Sequence, residues 1–329
     1  MNLCERIRFM TLIKQPTAEN ILLAAKNLKA GALIGLPTET VYGLAADAEN
    51  ESAVRRIYEV KGRPSDHPLI VHIGSIEYLE KWARDIPEYA WTLAKTFWPG
   101  PMTLILNRSE IAKDFLTGGQ ESVGIRFPQN EVACSVLKYF HQLGGNGLAA
   151  PSANRFGALS PTDAKSVVEE LGLKLKKEKD FIIDGGQSEV GVESTIIHCL
   201  SKSHPKILRS GVVTEQDIEE KTGNKVIQNM SEESIRFSGG LESHYAPKAR
   251  VIIEGTPKSG DGFIALSSID TPEDCVRLSS PKNLREYARD LYSALRRGDK
   301  QDLKRIFVLI PDGDGIALAI RERMNKAAH

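Results

Sequence analysis

Apolar residues near the start of the chain recur at the spacing of a helix. Between residues 17 and 30 they fall three or four positions apart, which predicts a helix with one buried face. Thr17 is placed to cap its first turn, and Gly31 follows its last. The apolar run 32–36 predicts a buried strand, which Pro37 ends because its ring cannot donate to a sheet ladder. The polar segment that follows therefore begins at the end of a strand.

Helical and strand-like patterns alternate from there to about residue 212. The strands are predicted over 69–73, 102–106, 123–127, 181–185 and 194–198. The helices are predicted over 51–61, 87–97, 130–140 and 162–171. Such alternation is typical of an α/β domain built around one sheet.

The last third of the chain has a different pattern. Residues 213–248 are polar and contain glycines, which predicts an interdomain linker. Strands and helices alternate again after it, with strands at 251–255, 263–266 and 305–310. Residues 249–329 are therefore predicted to form a second, smaller α/β domain.

Composition narrows the class of protein. Lysine plus arginine and aspartate plus glutamate both number 43, so no bulk charge attracts nucleic acid or anionic lipid. The four cysteines lack the spacing of a disulfide framework or a zinc site. No run approaches the roughly 20 apolar residues of a membrane span. We expect a soluble, cytoplasmic protein with no membrane partner and weak or absent direct binding to tRNA.

The segment PTETVYGL at 37–44 is the first candidate for chemistry. Thr38, Glu39, Thr40 and Tyr42 bring hydroxyls and a carboxylate to a strand end, where open α/β sheets bind ligands. The alternative is an ordinary proline turn in which the hydroxyls bind the backbone. The density of polar groups favours a site.

The segment KGRPSDHP at 61–68 sets Lys61 and Arg63 on either side of a glycine after a helix. Two cations held so close favour a polyphosphate. The alternative is a pair of cations that answers the dipole of the helix end. His67 and His72 have no third ligand nearby in the sequence, so a metal site is not expected.

A third candidate, Arg126, lies between apolar neighbours in a predicted strand. A buried guanidinium without a partner is costly, so a carboxylate must pair with it. That carboxylate could belong to the protein or to a ligand.

The loop at 150–162 places Ser152 and Asn154 among small residues, as in loops that approach phosphate or ribose. A turn with Thr162 as a helix cap is the alternative. Ser194 and Arg209 border apolar runs, which is weak evidence by itself. The chain lacks the motifs of P-loop, Rossmann-cofactor, α/β-hydrolase and zincin proteins.

Seven segments in order resemble the signature of the Sua5/YrdC/YwlC family: PTETVYGL, KGRPSDHPLIVHI, WPGPMTLIL, VGIRFP, APSANRFGALSPT, GVESTII and ILRSG. The resemblance implies a twisted, open, mixed-sheet YrdC-like catalytic domain over 14–212. It also implies a small, Rossmann-like α/β C-terminal domain over 249–329, as in the long Sua5 form. The implied activity is L-threonylcarbamoyladenylate synthase, a nucleotidyltransferase that serves N6-threonylcarbamoyladenosine formation in tRNA.

The resemblance also implies the site residues. L-threonine would contact Thr40, His72, Arg126, Ala150 and Ser194. ATP would contact Arg63, His67, Ser122, Ser152, Ser160 and Arg209. Lys61 and Arg63 would act on the phosphates as the catalytic pair. Mg²⁺ would arrive with ATP and take no protein side chain as ligand, bicarbonate would be the third substrate, and tRNA threonylcarbamoyl-transfer proteins would receive the product.

The sequence departs from the family pattern at two places. The linker reads FSGGLESHYAP, with Glu242 where relatives often have a tyrosine near the nucleotide. His67 replaces an asparagine, which keeps a polar group there. Two other functions stay open, an RNA-binding or ribosome-assembly module and a nucleotide-binding regulator without turnover.

Overall fold

A computed structural model describes residues 11–227, 235–240 and 245–328 of the chain. Its larger sheet has eleven strands. They are β1 (Ile13–Lys14), β2 (Ile34–Leu36), β3 (Gly43–Asp47), β4 (Ile70–His72), β5 (Ala83–Arg84), β6 (Met102–Arg108), β7 (Ser122–Arg126), β8 (Leu148–Ala149), β9 (Phe181–Ile183), β10 (Thr195–His198) and β11 (Lys206–Arg209).

Ten of these strands follow the order β1-β9-β2-β3-β8-β4-β7-β6-β10-β11, and β5 pairs with the far end of β6. The sheet is mixed, because β4 is parallel to β7 and β6 is parallel to β10, whereas β6 and β7 are antiparallel. A mixed, open α/β sheet was predicted, and the prediction is confirmed.

Helices cover this sheet and bury an apolar core against it. They are α1 (Ala18–Lys29), α2 (Glu51–Lys61), α3 (Leu79–Trp82), α4 (Glu88–Phe97), α5 (Asp114–Thr117), α6 (Glu131–Gln142) and α7 (Ala164–Leu171). The predicted cap of α1 is present, since the Thr17 hydroxyl accepts the Asn20 amide. At α7 the predicted cap is wrong. Asp163 accepts the Ser166 amide there, and the Thr162 hydroxyl instead meets that of Ser293.

The segment predicted as a linker begins with a further helix, α8 (Glu215–Thr222). Thr214 and Asp217 form a reciprocal capping box at its start. The buried side chain of Ile218 belongs to the core of the larger sheet, and α8 packs against α4. Glu242, one of the departures from the family pattern, lies outside the described residues.

The C-terminal part of the chain folds around a second sheet of four parallel strands, in the order β12-β15-β13-β14. Its strands are β12 (Arg250–Ile252), β13 (Gly262–Ile264), β14 (Val276–Ser279) and β15 (Arg305–Val308). Its helices are α9 (Leu284–Lys300) and α10 (Ile316–Ala328). The small α/β unit predicted here is therefore present.

Helix α9 of the C-terminal domain packs against the domain of the larger sheet. Arg296 of α9 forms an ion pair with Glu170 of α7 at 2.8 Å, and Lys300 pairs with Glu169 at 2.9 Å. Gly191 lets the backbones approach, because a Cβ there would lie 2.3 Å from the Cα of Arg289. Across the described residues, no helix is long and apolar enough to span a membrane.

Candidate functional site

One cavity in the larger sheet gathers most of the predicted site residues. It lies among the ends of β4, β7, β10 and β11, the segment before β3 and the loop after β8. Eight predicted residues line it: Thr40, Arg63, His72, Arg126, Ala150, Ser152, Ser194 and Arg209. Four predicted residues do not line it: Lys61, His67, Ser122 and Ser160.

Arg126 has a carboxylate partner within the protein. Its Nη2 donates to Glu39 Oε1 at 2.7 Å, and its Nη1 donates to the Thr40 hydroxyl at 2.8 Å. Both charged side chains are buried, which makes this a desolvated ion pair. Arg126 Nε and Glu39 Oε2 have no partner among the described residues. The pair therefore retains one buried donor and one buried acceptor beside the cavity.

The turn before β3 combines the two interpretations offered by the sequence. The Thr38 hydroxyl donates to the carbonyl of Val41 at 2.6 Å, as in an ordinary turn. The Thr40 hydroxyl meets Thr38 Oγ1 at 2.9 Å and also accepts from Arg126. Thr38 therefore shapes the turn, and the turn presents Thr40 to the cavity.

His72 is a neutral imidazole at the end of β4. Burial, and then the nearby charge of Arg126, lowers the pKa of His72 to about 3. Its Nδ1 is buried and has no partner among the described residues. A neutral ring with a free nitrogen can accept a hydrogen bond from a ligand.

Two further buried arginines, Arg63 and Arg209, line the cavity. Arg209 donates from Nε to the Ser194 carbonyl at 3.0 Å and from Nη2 to the Ser194 hydroxyl at 3.1 Å. Arg63 donates from Nη2 to the Pro68 carbonyl at 2.9 Å. Burial lowers the pKa of Arg63 to about 10, so it remains a cation at neutral pH. The two guanidiniums provide positive charge suited to phosphates.

Lys61 holds the loop after β8 in place. Its Nζ donates to the carbonyl of Ser152 at 2.6 Å and to that of Asn154 at 2.5 Å. Burial, and then the neighbouring charge of Arg63, lowers the pKa of Lys61 well below its usual value. These bonds hold Ser152 at the cavity wall. Lys61 therefore shapes the cavity through the loop and does not line it.

The other three predicted residues that do not line the cavity differ in how near they lie to it. His67 follows Arg63 and packs its ring edge against Phe156, with ring centroids 5.3 Å apart. Ser122 pairs with Asn107 at the opposite end of β7 from Arg126. Ser160 is one step from the cavity, because its hydroxyl donates to Glu193 at 2.6 Å and Glu193 lines the wall.

The linker closes the cavity over the arginines. Ser238 accepts from Arg209 Nη1 through its carbonyl at 2.9 Å, and its hydroxyl lies 3.4 Å from Arg63 Nη2. The remaining volume is about 50 Å³. Sites for small molecules usually exceed roughly 300 Å³. A ligand as large as a nucleotide would fit only if Ser238 moved away from the arginines.

Comparison with protein families identifies the fold. Residues 26–211 match the Sua5/YciO/YrdC model, described as telomere recombination. Residues 213–329 match the model described as the C-terminal domain of threonylcarbamoyl-AMP synthase. The chain belongs to the Sua5/YrdC family.

Relatives extend this match over nearly the whole chain. The threonylcarbamoyl-AMP synthase of Pyrococcus abyssi (strain GE5 / Orsay) is 38% identical, and the match covers 94% of each chain. That of Bacillus subtilis (strain 168) is 37% identical, covering 94% of this chain and 92% of the relative. The crystal structure of P. abyssi Sua5 complexed with L-threonine superposes with a TM-score of 0.84 at 36% identity, covering 96% of each chain.

The described residues of this Sua5/YrdC family member offer little to a metal ion. No group of three or more histidine, cysteine, aspartate or glutamate side chains is arranged to bind one within 11–227, 235–240 and 245–328. Glu193, which lines the cavity, and Glu39, which lies behind Arg126, each already pair with an arginine. Phosphate oxygens of a substrate would have to supply the ligands of a Mg²⁺ ion at this cavity.

Sequence reasoning missed several residues at this site. Glu193 stands inside GVESTII, a segment that was singled out, and its carboxylate is the signal that could have identified it. Tyr245 lines the cavity from the linker, with its side chain buried. Arg323 reaches Glu193 from the C-terminal domain, and no local pattern around it announces that contact.

Proposed function

We propose that this chain is an L-threonylcarbamoyladenylate synthase. It would convert L-threonine, bicarbonate and ATP into threonylcarbamoyl-AMP and diphosphate, for N6-threonylcarbamoyladenosine formation in tRNA. One observation carries the proposal: a single cavity joins two buried arginines to a compartment formed by Thr40, His72 and the Arg126–Glu39 pair. The names of the relatives and the threonine in the P. abyssi complex agree with it.

In this proposal threonine occupies the compartment at His72. Its carboxylate meets the side of Arg126 that Glu39 leaves free, and its ammonium donates a hydrogen bond to neutral His72. The low pKa of His72 means that the ammonium proton leaves to water. Ala150 and Ser194 complete the wall. The freed amine attacks the carbon of bicarbonate, and loss of water leaves a carbamate.

The carbamate oxygen then attacks the α-phosphorus of ATP. The bond from that phosphorus to the bridging oxygen breaks, diphosphate leaves, and the adenylate forms without a protein nucleophile. Catalysis rests on holding two anions together and on stabilising charge at phosphorus. Arg63 and Arg209 carry that charge, and Ser152 is held beside them by Lys61. Mg²⁺ bound to ATP would add Lewis-acid stabilisation.

The roles of His67, Ser122 and Ser160 as ATP contacts also belong to this proposal. The Ser238 carbonyl accepts a hydrogen bond from Arg209, where a phosphate would bind. A nucleotide would therefore have to displace Ser238. Opening would bring His67, which adjoins Arg63, to the edge of a larger site. Ser122 would need ATP to reach the other end of β7, and it is the weakest member of the set. The product would pass to proteins that transfer threonylcarbamoyl groups to tRNA.

Diphosphate release tests the proposal. The purified chain with Mg-ATP should release diphosphate only when threonine and bicarbonate are both present, and mass spectrometry should detect threonylcarbamoyl-AMP. Arg209→Met should abolish release, whereas Arg84→Met, at an exposed site, should leave it unchanged. Tight ATP binding without release would instead indicate a nucleotide-binding regulator. Tight RNA binding without release would indicate an RNA-binding module.

A further inference from the structure

The last helix of the chain, α10, contacts the larger domain beside Arg209. On α10, Glu322 accepts from the Ser210 hydroxyl at 2.6 Å and from the Ser210 amide at 3.0 Å. Arg323 Nη1 donates to the Ser210 carbonyl at 2.5 Å, and Lys326 donates to the Gly239 carbonyl. Ser210 directly follows Arg209 in the chain. Lys326 therefore contacts a residue of the cavity wall, and Glu322 and Arg323 hold the residue that follows Arg209.

Arg323 is the member of this group that is fully buried, with 1% of its surface exposed. Its Nε donates to Glu193 Oε2 at 3.1 Å, and its guanidinium carbon lies 5.9 Å from the centroid of the Tyr245 ring. Burying a guanidinium this completely is costly unless a partner compensates it. Its nearer carboxylate partner is Glu193, which comes from the other domain, and Glu322 of α10 lies 3.4 Å from its Nη1.

Glu193 is the acidic side chain among the residues that line the cavity. Besides Arg323, it accepts from the Ser160 hydroxyl at 2.6 Å and from the Tyr292 hydroxyl at 3.0 Å. Burial alone would raise the pKa of Glu193, but the charges of Arg323 and Arg209 outweigh it and leave the value at about 2. Glu193 is therefore an anion at the wall where the proposed function requires a triphosphate.

We propose that Arg323 is a positioning residue for the nucleotide, because it cancels the charge of Glu193 and turns that carboxylate toward the C-terminal domain. Without this cancellation a fixed anion would oppose the triphosphate and compete for Arg209. The C-terminal domain thereby contributes to nucleotide affinity without a side chain on the substrate. The inference rests on the proposed use of ATP by this cavity.

Neutralising Arg323 and neutralising Glu193 should change the Mg-ATP affinity in different ways. In Arg323→Gln, Arg209 and the Ser160 hydroxyl still stabilise the Glu193 anion. An uncancelled charge about 10 Å from a phosphate, at an effective dielectric constant of about 20, should raise the dissociation constant for Mg-ATP about tenfold or more. Glu193→Gln removes the anion, so Mg-ATP should bind as tightly as to the parent or more tightly. Titration calorimetry of the full chain measures both, at a temperature where circular dichroism shows each variant folded.

Further variants separate this charge effect from loss of domain contact. Arg323→Lys should keep the Mg-ATP affinity close to that of the parent, because it retains the charge. Lys300→Gln and Glu169→Gln, which break an exposed ion pair between the same domains, should leave it unchanged. Threonine affinity should stay the same in every variant.

Weaker Mg-ATP binding in both Arg323→Gln and Glu193→Gln would overturn the proposal. If the ion pair served only to hold the domains together, removing either partner would weaken binding. Unchanged binding in Arg323→Gln would also overturn it. If Arg323→Gln does not fold, Glu193→Gln decides alone, because weaker binding there contradicts the cancellation of charge. A parent chain that binds Mg-ATP but releases no diphosphate would refute the proposed function and leave this comparison of signs intact.

Discussion

The two sheets of this chain differ in what their domains bury. The cavity of the larger domain is surrounded by buried charged groups: Glu39, Lys61, Arg63, Arg126, Glu193 and Arg209. Among described residues 249–328, the buried polar or charged residues are Asp261, Ser279 and Arg323. The smaller domain's core is otherwise apolar, with Leu291, Ile306 and Val308 fully or almost fully buried.

This difference separates groups that serve a ligand from groups that serve the fold. Burying a charge costs several kcal/mol per ion unless partners compensate it, so a fold that needs only stability avoids the cost. The larger domain accepts it repeatedly around one cavity, whereas the buried carboxylates away from the cavity, Asp47, Asp180 and Asp261, each pair with a cation. The smaller domain's buried guanidinium, Arg323, points at that same cavity through Glu193. Predictions that remove one charge or one methyl group test whether the distinction holds.

The largest expected effect on stability comes from Arg126→Met. It leaves the Glu39 carboxylate buried without its cation, so the free energy of unfolding should fall by about 3–5 kcal/mol. Adding Glu39→Gln should restore most of that stability but not the binding of threonine. Urea unfolding and threonine titration measure the two effects. Arg84→Met, which breaks an exposed pair, should change stability by less than about 0.5 kcal/mol. A similar small change in Arg126→Met would contradict the desolvated pair.

Arg63→Met should separate activity from stability. Removing one preorganised cation from the transition state should lower diphosphate release about 100- to 1000-fold. Stability should fall less, by about 1–2 kcal/mol, because the arginine also bonds a main-chain carbonyl. Steady-state kinetics and thermal unfolding give the comparison. Arg55→Met, on the exposed face of α2, the helix that precedes Arg63, is the matched control and should change neither quantity appreciably. If diphosphate release fell only as far as the loss of stability explains, Arg63 would have a structural role only.

Much of the fold could be predicted because its signals are local. The spacing of apolar residues located α1, and residues 51–61 form α2 as expected. Strand β3 was missed because all of its residues are buried, so it shows no alternation of polar and apolar positions. Helix α8 was assigned to the linker, although its capping box at Thr214 and Asp217 was a visible signal.

The site could be predicted only as far as its chain segments. Segments around Thr40, Arg63 and Arg126 were singled out and do meet at one cavity. The sequence left open whether Arg126 pairs with the protein or a ligand, because its partner Glu39 lies 87 residues away. The contact between Glu193 and Arg323 spans 130 residues and two domains. Pairings at such separations depend on the packed fold, which periodicity does not specify.

The pH dependence of stability should reveal the neutral His72. Its pKa in the folded chain, about 3, lies below the usual value near 6.5, so the unfolded chain binds more protons between these values. Stability is therefore lost as pH falls from about 6.5 toward 3. Between pH 7 and 5, His72→Asn should lose about 2 kcal/mol less than the parent in urea unfolding. Other titrating groups are common to both proteins, so parallel curves would show that His72 is not held neutral.

The smallest change tests the other side of the comparison. Ile306 is fully buried in β15, the strand between β12 and β13 in the smaller sheet. Ile306→Val removes one methyl group and should lower the free energy of unfolding by about 1 kcal/mol. Mg-ATP and threonine affinities should not change, because the lost contacts lie within an apolar core that transmits no charge to the cavity. Arg323→Gln should show the opposite pattern in Mg-ATP binding. If Ile306→Val weakened nucleotide binding as strongly, packing of the smaller domain would explain the coupling better than the charge of one guanidinium.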